Sequence, residues 1–110
     1  MRHRLIVRPE AEADMTEAAV WYEERVKGLG LEFTLEIHAA IQRVVEHPFA
    51  QVCVRRQPEV RRVLARRFPY RIFCLVRADV IVVFAVLHAA RHHHDWQERV
   101  KAGPGYDFAE

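Results

Sequence analysis

RRFPYRIFCLVRADVIVVFAVLHAAR, running from Arg66 to Arg91, holds two runs rich in β-branched and aromatic residues, Tyr70 to Val76 and Val80 to Leu87. The polar Arg77-Ala78-Asp79 between them is short enough for a hairpin turn, so the pair reads as two antiparallel strands. Alternation puts Tyr70, Ile72, Cys74 and Val76 on one face of the first strand and Phe73 and Leu75 on the other. In the second it puts Val80, Val82, Phe84 and Val86 opposite Ile81, Val83, Ala85 and Leu87. A strand that is apolar on both faces needs cover on both sides.

Upstream of Pro69, which marks a bend, Val60 to Phe68 reads as a further strand with arginines reaching both faces. Phe49 to Glu59 shows no period and is bracketed by Pro48 and Pro58, so it reads as loop. Two helices precede it. Ala11, Met15, Ala18, Tyr22 and Val26 recur at spacings of three and four behind Pro9, which suits a first helical turn. Arg8 is a poor cap, but Glu10, Glu12 and Asp14 place negative charge at the positive end of the helix dipole. Gly28 and Gly30 supply the left-handed conformations that end this helix. A second helix from about Leu31 to Glu46 carries Phe33, Ile37, Ala40, Ile41, Val44 and Val45 on one face and stops at His47-Pro48. So short a link makes the two helices antiparallel neighbours.

His3 to Val7 forms a short first strand ahead of them. Asp95-Trp96-Gln97-Glu98 has a capping-box pattern that opens a last short helix to about Val100. The fold class is therefore α+β in the order β-α-α-β-β-β with a short C-terminal helix, a helical hairpin packed on one face of a small, mainly antiparallel sheet. Residues 1–100 make one domain and residues 101–110, with Gly103-Pro104-Gly105, a flexible tail. The helices can cover only one face. The other must be shielded by the C-terminal segment or by a second protein chain.

Composition narrows the class. A chain of 110 residues supports a single core. The longest apolar run, Val80 to Leu87, is far short of the ~20 residues of a membrane helix. The opening Met1 to Val7 lacks the cleavage site of a secretory leader, so the expected location is cytoplasmic. Cys53 and Cys74 read as free thiols in a reducing compartment. The net charge of +2 conceals a division: residues 1–50 hold six Lys/Arg against nine Asp/Glu, while residues 51–91 hold nine Arg against Glu59 and Asp79. Fifteen of the seventeen cationic side chains are Arg, the type suited to planar contact with carboxylate or phosphate.

Arg61, Arg62, Arg66, Arg67, Arg71 and Arg77, interleaved with Tyr70 and Phe73, have the make-up of a phosphate-tracking groove with stacking rings. The competing reading pairs some of these arginines with the acidic first helix or with an acidic partner segment. Arg71 and Arg77 fall on one face about 20 Å apart, wide for a single active site. His88 ends the last strand opposite or near Arg71, and a neighbouring guanidinium favours the neutral imidazole a general base requires. No second proton-transfer group stands on the strands: Lys is absent between Lys27 and Lys101, Glu59 lies in a loop and Asp79 in a turn. His92-His93-His94-Asp95 lacks the spacing of a three-ligand zinc site, so no metal is expected, and no motif calls for a cofactor.

Taken in order, Val7-Arg8-Pro9-Glu10-Ala11-Glu12-Ala13-Asp14, Glu17-Ala18-Ala19-Val20-Trp21-Tyr22-Glu23-Glu24, Gly28-Leu29-Gly30-Leu31-Glu32-Phe33, His47-Pro48, Arg66-Arg67-Phe68-Pro69-Tyr70-Arg71-Ile72 and Ala85-Val86-Leu87-His88 with Arg91 and Trp96 resemble the RelE/ParE toxin superfamily. The likeness leans to its ParE-like, plasmid-stabilisation branch. It implies the growth-inhibiting toxin half of a type II toxin-antitoxin pair, wrapped and neutralised by a cognate antitoxin. It implies two candidate activities: poisoning of DNA gyrase by protein contact, or RelE-like cleavage of messenger RNA on the ribosome. Arg71 and His88 match positions where RelE-like nucleases keep catalytic groups. The partners those nucleases add are missing from these strands, which favours the gyrase reading. Antitoxin or target contact is expected of Arg61, Arg62, Arg66, Arg67, Tyr70, Arg71, Phe73, Arg77, His88, Arg91 and Trp96. The antitoxin segment is expected to lie beside Arg71 and His88. Two departures stand out: Arg8 replaces the family's usual small capping residue, and His92-His93-His94 replaces an acidic residue and proline.

Overall fold

The computed structural model describes residues 3–90 and 94–102. Within them the order is β1 (Arg4–Val7), α1 (Pro9–Arg25), α2 (Leu29–Glu46), β2 (Val52–Arg56), β3 (Glu59–Leu64), β4 (Tyr70–Val76), β5 (Val80–His88) and α3 (His94–Ala102). The strands form one sheet in the order β1-β5-β4-β3-β2, with β1 parallel to β5 and the other pairings antiparallel. The α+β class, the helical hairpin and the strand meander agree with the sequence reading. The tail reading for residues 103–110 falls outside the described residues, and α3 includes Lys101 and Ala102.

One strand was not anticipated. The stretch Phe49 to Glu59, read as loop, contains β2, which pairs with β3 and forms the far edge of the sheet. Its brackets of proline are compatible with this because the pairing runs only from Val52 to Arg56, and Pro58 sits in the turn that joins β2 to β3. Conversely β3 ends at Leu64 rather than at Phe68. Beyond it the chain bends: Ala65 N–H donates to the Tyr70 carbonyl, Arg66 N–H to a Glu36 carboxylate oxygen at 2.8 Å, and Phe68 turns into the core with 7% exposure.

The link between α1 and α2 shows why two glycines stand there, and their roles differ. Gly28 has a φ of 90°, the left-handed region that glycine enters at no steric cost. Gly30 is helical, and its need is for space: a Cβ there would lie 2.6 Å from the Ala19 carbonyl oxygen. α2 consequently starts at Leu29, earlier than its apolar stripe implies. No side chain of its own caps it. Instead the Glu23 carboxylate from α1 accepts from Gly28 N–H at 2.9 Å and Gly30 N–H at 3.0 Å. Those two backbone donors hold the Glu23 carboxyl below its ordinary pKa.

The core has two halves, one on each face of the sheet. On the helical-hairpin face Ala11, Ala18, Phe33, Ile37, Ala40, Ile41 and Val44 pack on Val63, Ile72, Cys74, Val76, Ile81, Val83 and Val86. Burial there pushes the Cys74 thiol up to about 12, so it stays a neutral, inert space-filler. On the opposite face Trp96 and Val100 of α3 pack with Val60, Phe73, Leu75, Val80, Val82, Phe84, Ala85 and Leu87. Trp96 stacks on Phe73 with ring centroids 5.3 Å apart. The C-terminal segment thus supplies cover that the strand pattern demanded.

The alternation expected for β4 holds, but that of β5 breaks at Phe84. Phe73 pairs with Ala85 and Cys74 with Val83, which leaves Phe84 as the extra residue of a β-bulge. Everything after it changes side: Val86 joins the helical-hairpin face, while Phe84, Ala85 and Leu87 share the α3 face. A bulge exposes ladder groups that need other partners. Here Val86 N–H donates to the Asp14 carboxylate at 2.9 Å, and the Phe84 carbonyl accepts from Arg99 at 3.1 Å.

Candidate functional site

β1 ends at Val7, beside Val83, so among the described residues the outer edge of β5 from Phe84 to His88 has no neighbouring strand. α1 crosses this gap and leaves a cleft of about 400 Å³ lined by Asp14, Glu17, Ala18, Trp21, Tyr22, Tyr70, Val86 and His88. Its floor is the aromatic cluster of the core: Tyr22 stacks on Phe33 at 5.3 Å, and Tyr70 meets Phe33 edge-on at 5.0 Å. Burial pushes the Tyr22 hydroxyl up from its ordinary pKa, which keeps it a hydrogen-bond donor. Trp21 stands half exposed at the rim with the Arg25 guanidinium 3.6 Å above its ring.

Asp14 anchors one wall. Besides Val86 N–H it accepts from Arg99 at 2.6 and 2.9 Å, a two-pronged pair that ties α1, β5 and α3 together. Both side chains are largely buried, at 24% and 11% exposure for Arg99 and Asp14. Sequence reasoning gave Asp14 only a helix-dipole role. Its partner is remote in the chain, and an Asp one turn into a helix looks the same in either role.

The sequence-predicted site residues do not converge. His88 is exposed and sits opposite Tyr70, whose ring it meets edge-on at 5.3 Å, and its Nδ1 accepts from Ala90 N–H at 3.0 Å. Arg71 pairs with Leu87. His88 and Tyr70 therefore share the helical-hairpin face, whereas alternation places Arg71 with Phe73 and Leu87 on the α3 face. A single segment lying on one face would meet Arg71 or His88, not both. Phe73 and Trp96, each 4% exposed, stack on one another inside the core and offer no ring to a base. Arg91, His92 and His93 lie outside the described residues.

The arginines divide by partner. Arg61 pairs with Glu59 at 2.7 Å and reaches the Gln51 carbonyl, and Arg67 pairs with Glu32 at 2.9 Å. The acidic partner of the β3–β4 bend is thus α2, through Glu32 and Glu36, rather than the first helix. Arg66 is exposed, and Arg77 lies in the β4–β5 turn, where its N–H donates to the Val80 carbonyl. Arg62, on β3, stands opposite Phe73 and so on the α3 face with Arg71. Among the described residues no group of three His, Cys, Asp or Glu side chains is placed to hold a metal ion, and no helix is long and apolar enough to cross a membrane.

The family model described as the ParE toxin of type II toxin-antitoxin system, parDE, matches residues 5–93. A solved structure of the chromosomal ParDE TA system from P. aeruginosa is similar in fold, with a TM-score of 0.70 at 16% sequence identity. That alignment covers 79% of this chain and 96% of the other. Among curated proteins nothing matches.

Proposed function

Because this chain belongs to the ParE toxin family of type II toxin-antitoxin systems, we propose that it inhibits DNA gyrase through protein contact and is held inactive by a cognate antitoxin in the cytoplasm. The observation that carries this reading against messenger RNA cleavage is the separation of Arg71 from His88 onto opposite faces of the sheet. In-line attack by a ribose hydroxyl needs a base and a charge-stabilising group around one phosphate, within hydrogen-bond reach of the reacting atoms. Strand alternation keeps these two apart. The ladder offers no substitute, since β4 and β5 contain no Lys, Asp or Glu.

Purified gyrase and antitoxin-free protein test the proposal. Supercoiling of relaxed plasmid is expected to fall as the protein is added, and induction in cells is expected to arrest growth. Unimpaired supercoiling at a large excess overturns it. Codon-positioned cuts in messenger RNA in a translation extract, abolished by His88→Ala, would establish the nuclease in its place.

A further inference from the structure

Most half-buried arginines of the described chain have a partner: Arg43 donates to the Leu64 carbonyl, Arg55 to that of Gln57, Arg61 pairs with Glu59 and Arg99 with Asp14. Arg62 and Arg71 differ. Both are half-buried, and among the described residues no hydrogen bond or ion pair reaches either guanidinium. The Nε of Arg62 is buried outright with no acceptor. The register makes them neighbours. Arg62 is opposite Phe73 and Arg71 opposite Leu64, so they are diagonal partners on adjacent strands of one face, about 7 Å apart by sheet geometry. Two like charges so placed repel, and a buried donor without an acceptor is unfavourable. An anion between them removes both penalties.

We infer that Arg62 and Arg71 form a carboxylate-binding pair on the α3 face, which takes Asp or Glu side chains of an extended, acidic and aliphatic polypeptide segment. The inference rests on the reading that a protein partner covers this chain. The surroundings select the class. Val52, opposite Arg62 on β2, and Leu64, opposite Arg71 on β3, are each 52% exposed, so cations and aliphatic side chains interleave on this surface. An alternating apolar and acidic strand presents a matching pattern, with bidentate guanidinium–carboxylate contacts fixing its register. A single-stranded nucleic acid would need exposed rings for base stacking, and among the described residues the aromatics of this face, Phe73, Phe84 and Trp96, are all buried.

The test follows the arginine Nε–H signals of the full chain by ¹⁵N NMR. The probes are a capped peptide of alternating Val and Glu, its Val/Gln counterpart, and an oligouridylate of equal length. The Val/Glu peptide is expected to shift the Arg62 and Arg71 signals saturably, with at least tenfold weaker binding by the Val/Gln peptide and by Arg62→Gln or Arg71→Gln. Arg4→Gln, exposed on β1 at the opposite edge of the sheet, is the control and should bind as the parent does. Unmoved Arg62 and Arg71 signals, equal binding of the Val/Gln peptide, or tighter engagement of both arginines by the oligouridylate each overturn the inference. Gyrase inhibition is scored separately, so either idea can fail alone.

Discussion

Among the described residues, one face of the sheet lies under two helices of 17 and 18 residues, the other under a helix of nine. The first is a closed core: Phe33, Ile37, Val44, Ile72, Ile81 and Val83 reach 1% exposure or less, and five aromatic contacts link Tyr22, Phe33, Phe68 and Tyr70. The second is closed only in its middle, where Trp96 and Val100 reach. Toward β2 it leaves Val52 and Leu64 half exposed around two arginines. The difference teaches that burial by itself does not mark a finished surface. The helical-hairpin face is consumed by folding, whereas on the α3 face, among the described residues, Val52 and Leu64 stay half exposed and Arg62 and Arg71 meet no acceptor.

Substitutions on the two faces should therefore differ in kind. Phe33→Ala, at 0% exposure in the aromatic cluster, is expected to lower stability by about 4 kcal/mol in denaturant titration. A loss under about 1 kcal/mol would mean that this face is not the organising core. Trp96→Ala is expected to cost less, about 2–3 kcal/mol, because α3 can detach while the sheet and hairpin persist. Hydrogen exchange distinguishes the two: Trp96→Ala should unprotect α3 ahead of β4, while Phe33→Ala should lower protection in both together.

The Asp14–Arg99 pair fastens the lesser face to the greater, and a double-mutant cycle with Asp14→Ala and Arg99→Ala should give a coupling of about 1–2 kcal/mol. Additive losses would show that packing alone holds α3. Glu23→Gln should have the smallest effect, and it has a pH signature. The folded carboxyl titrates below its ordinary value, so its stabilisation is complete above the unfolded glutamate pKa and disappears as pH falls through the depressed folded one. The gap in melting temperature between parent and Glu23→Gln should accordingly be present at neutral pH and close under acid.

What the sequence revealed follows the same division. β4 and β5 were legible because Tyr70–Val76 and Val80–Leu87 are β-branched, bounded and long enough, and the helical hairpin because Phe33, Ile37, Ala40, Ile41 and Val44 keep one stripe. β2 was not, since Val-Cys-Val-Arg-Arg is short, lies at an edge and sits between prolines that also mark loops. The bulge at Phe84 left no trace because its neighbours on both sides are apolar, so a slip of one position exchanges one hydrophobic residue for another. That slip is what sends His88 and Arg71 to opposite faces. Periodicity located both residues along the chain and near one another in the ladder, but not the faces they take.

The parallel pairing of β1 with β5 has a consequence for timing. Leu5 lies beside Ile81 and Val7 beside Val83, so β1 must wait for β5, more than seventy residues further along the chain, before it can pair. Both long helices likewise emerge before the strands their apolar faces cover, and such non-local closure is slow compared with helix formation. No nascent chain that stops short of β5 holds the assembled sheet, so both the first strand and the two long helices wait on that one segment for their final partners.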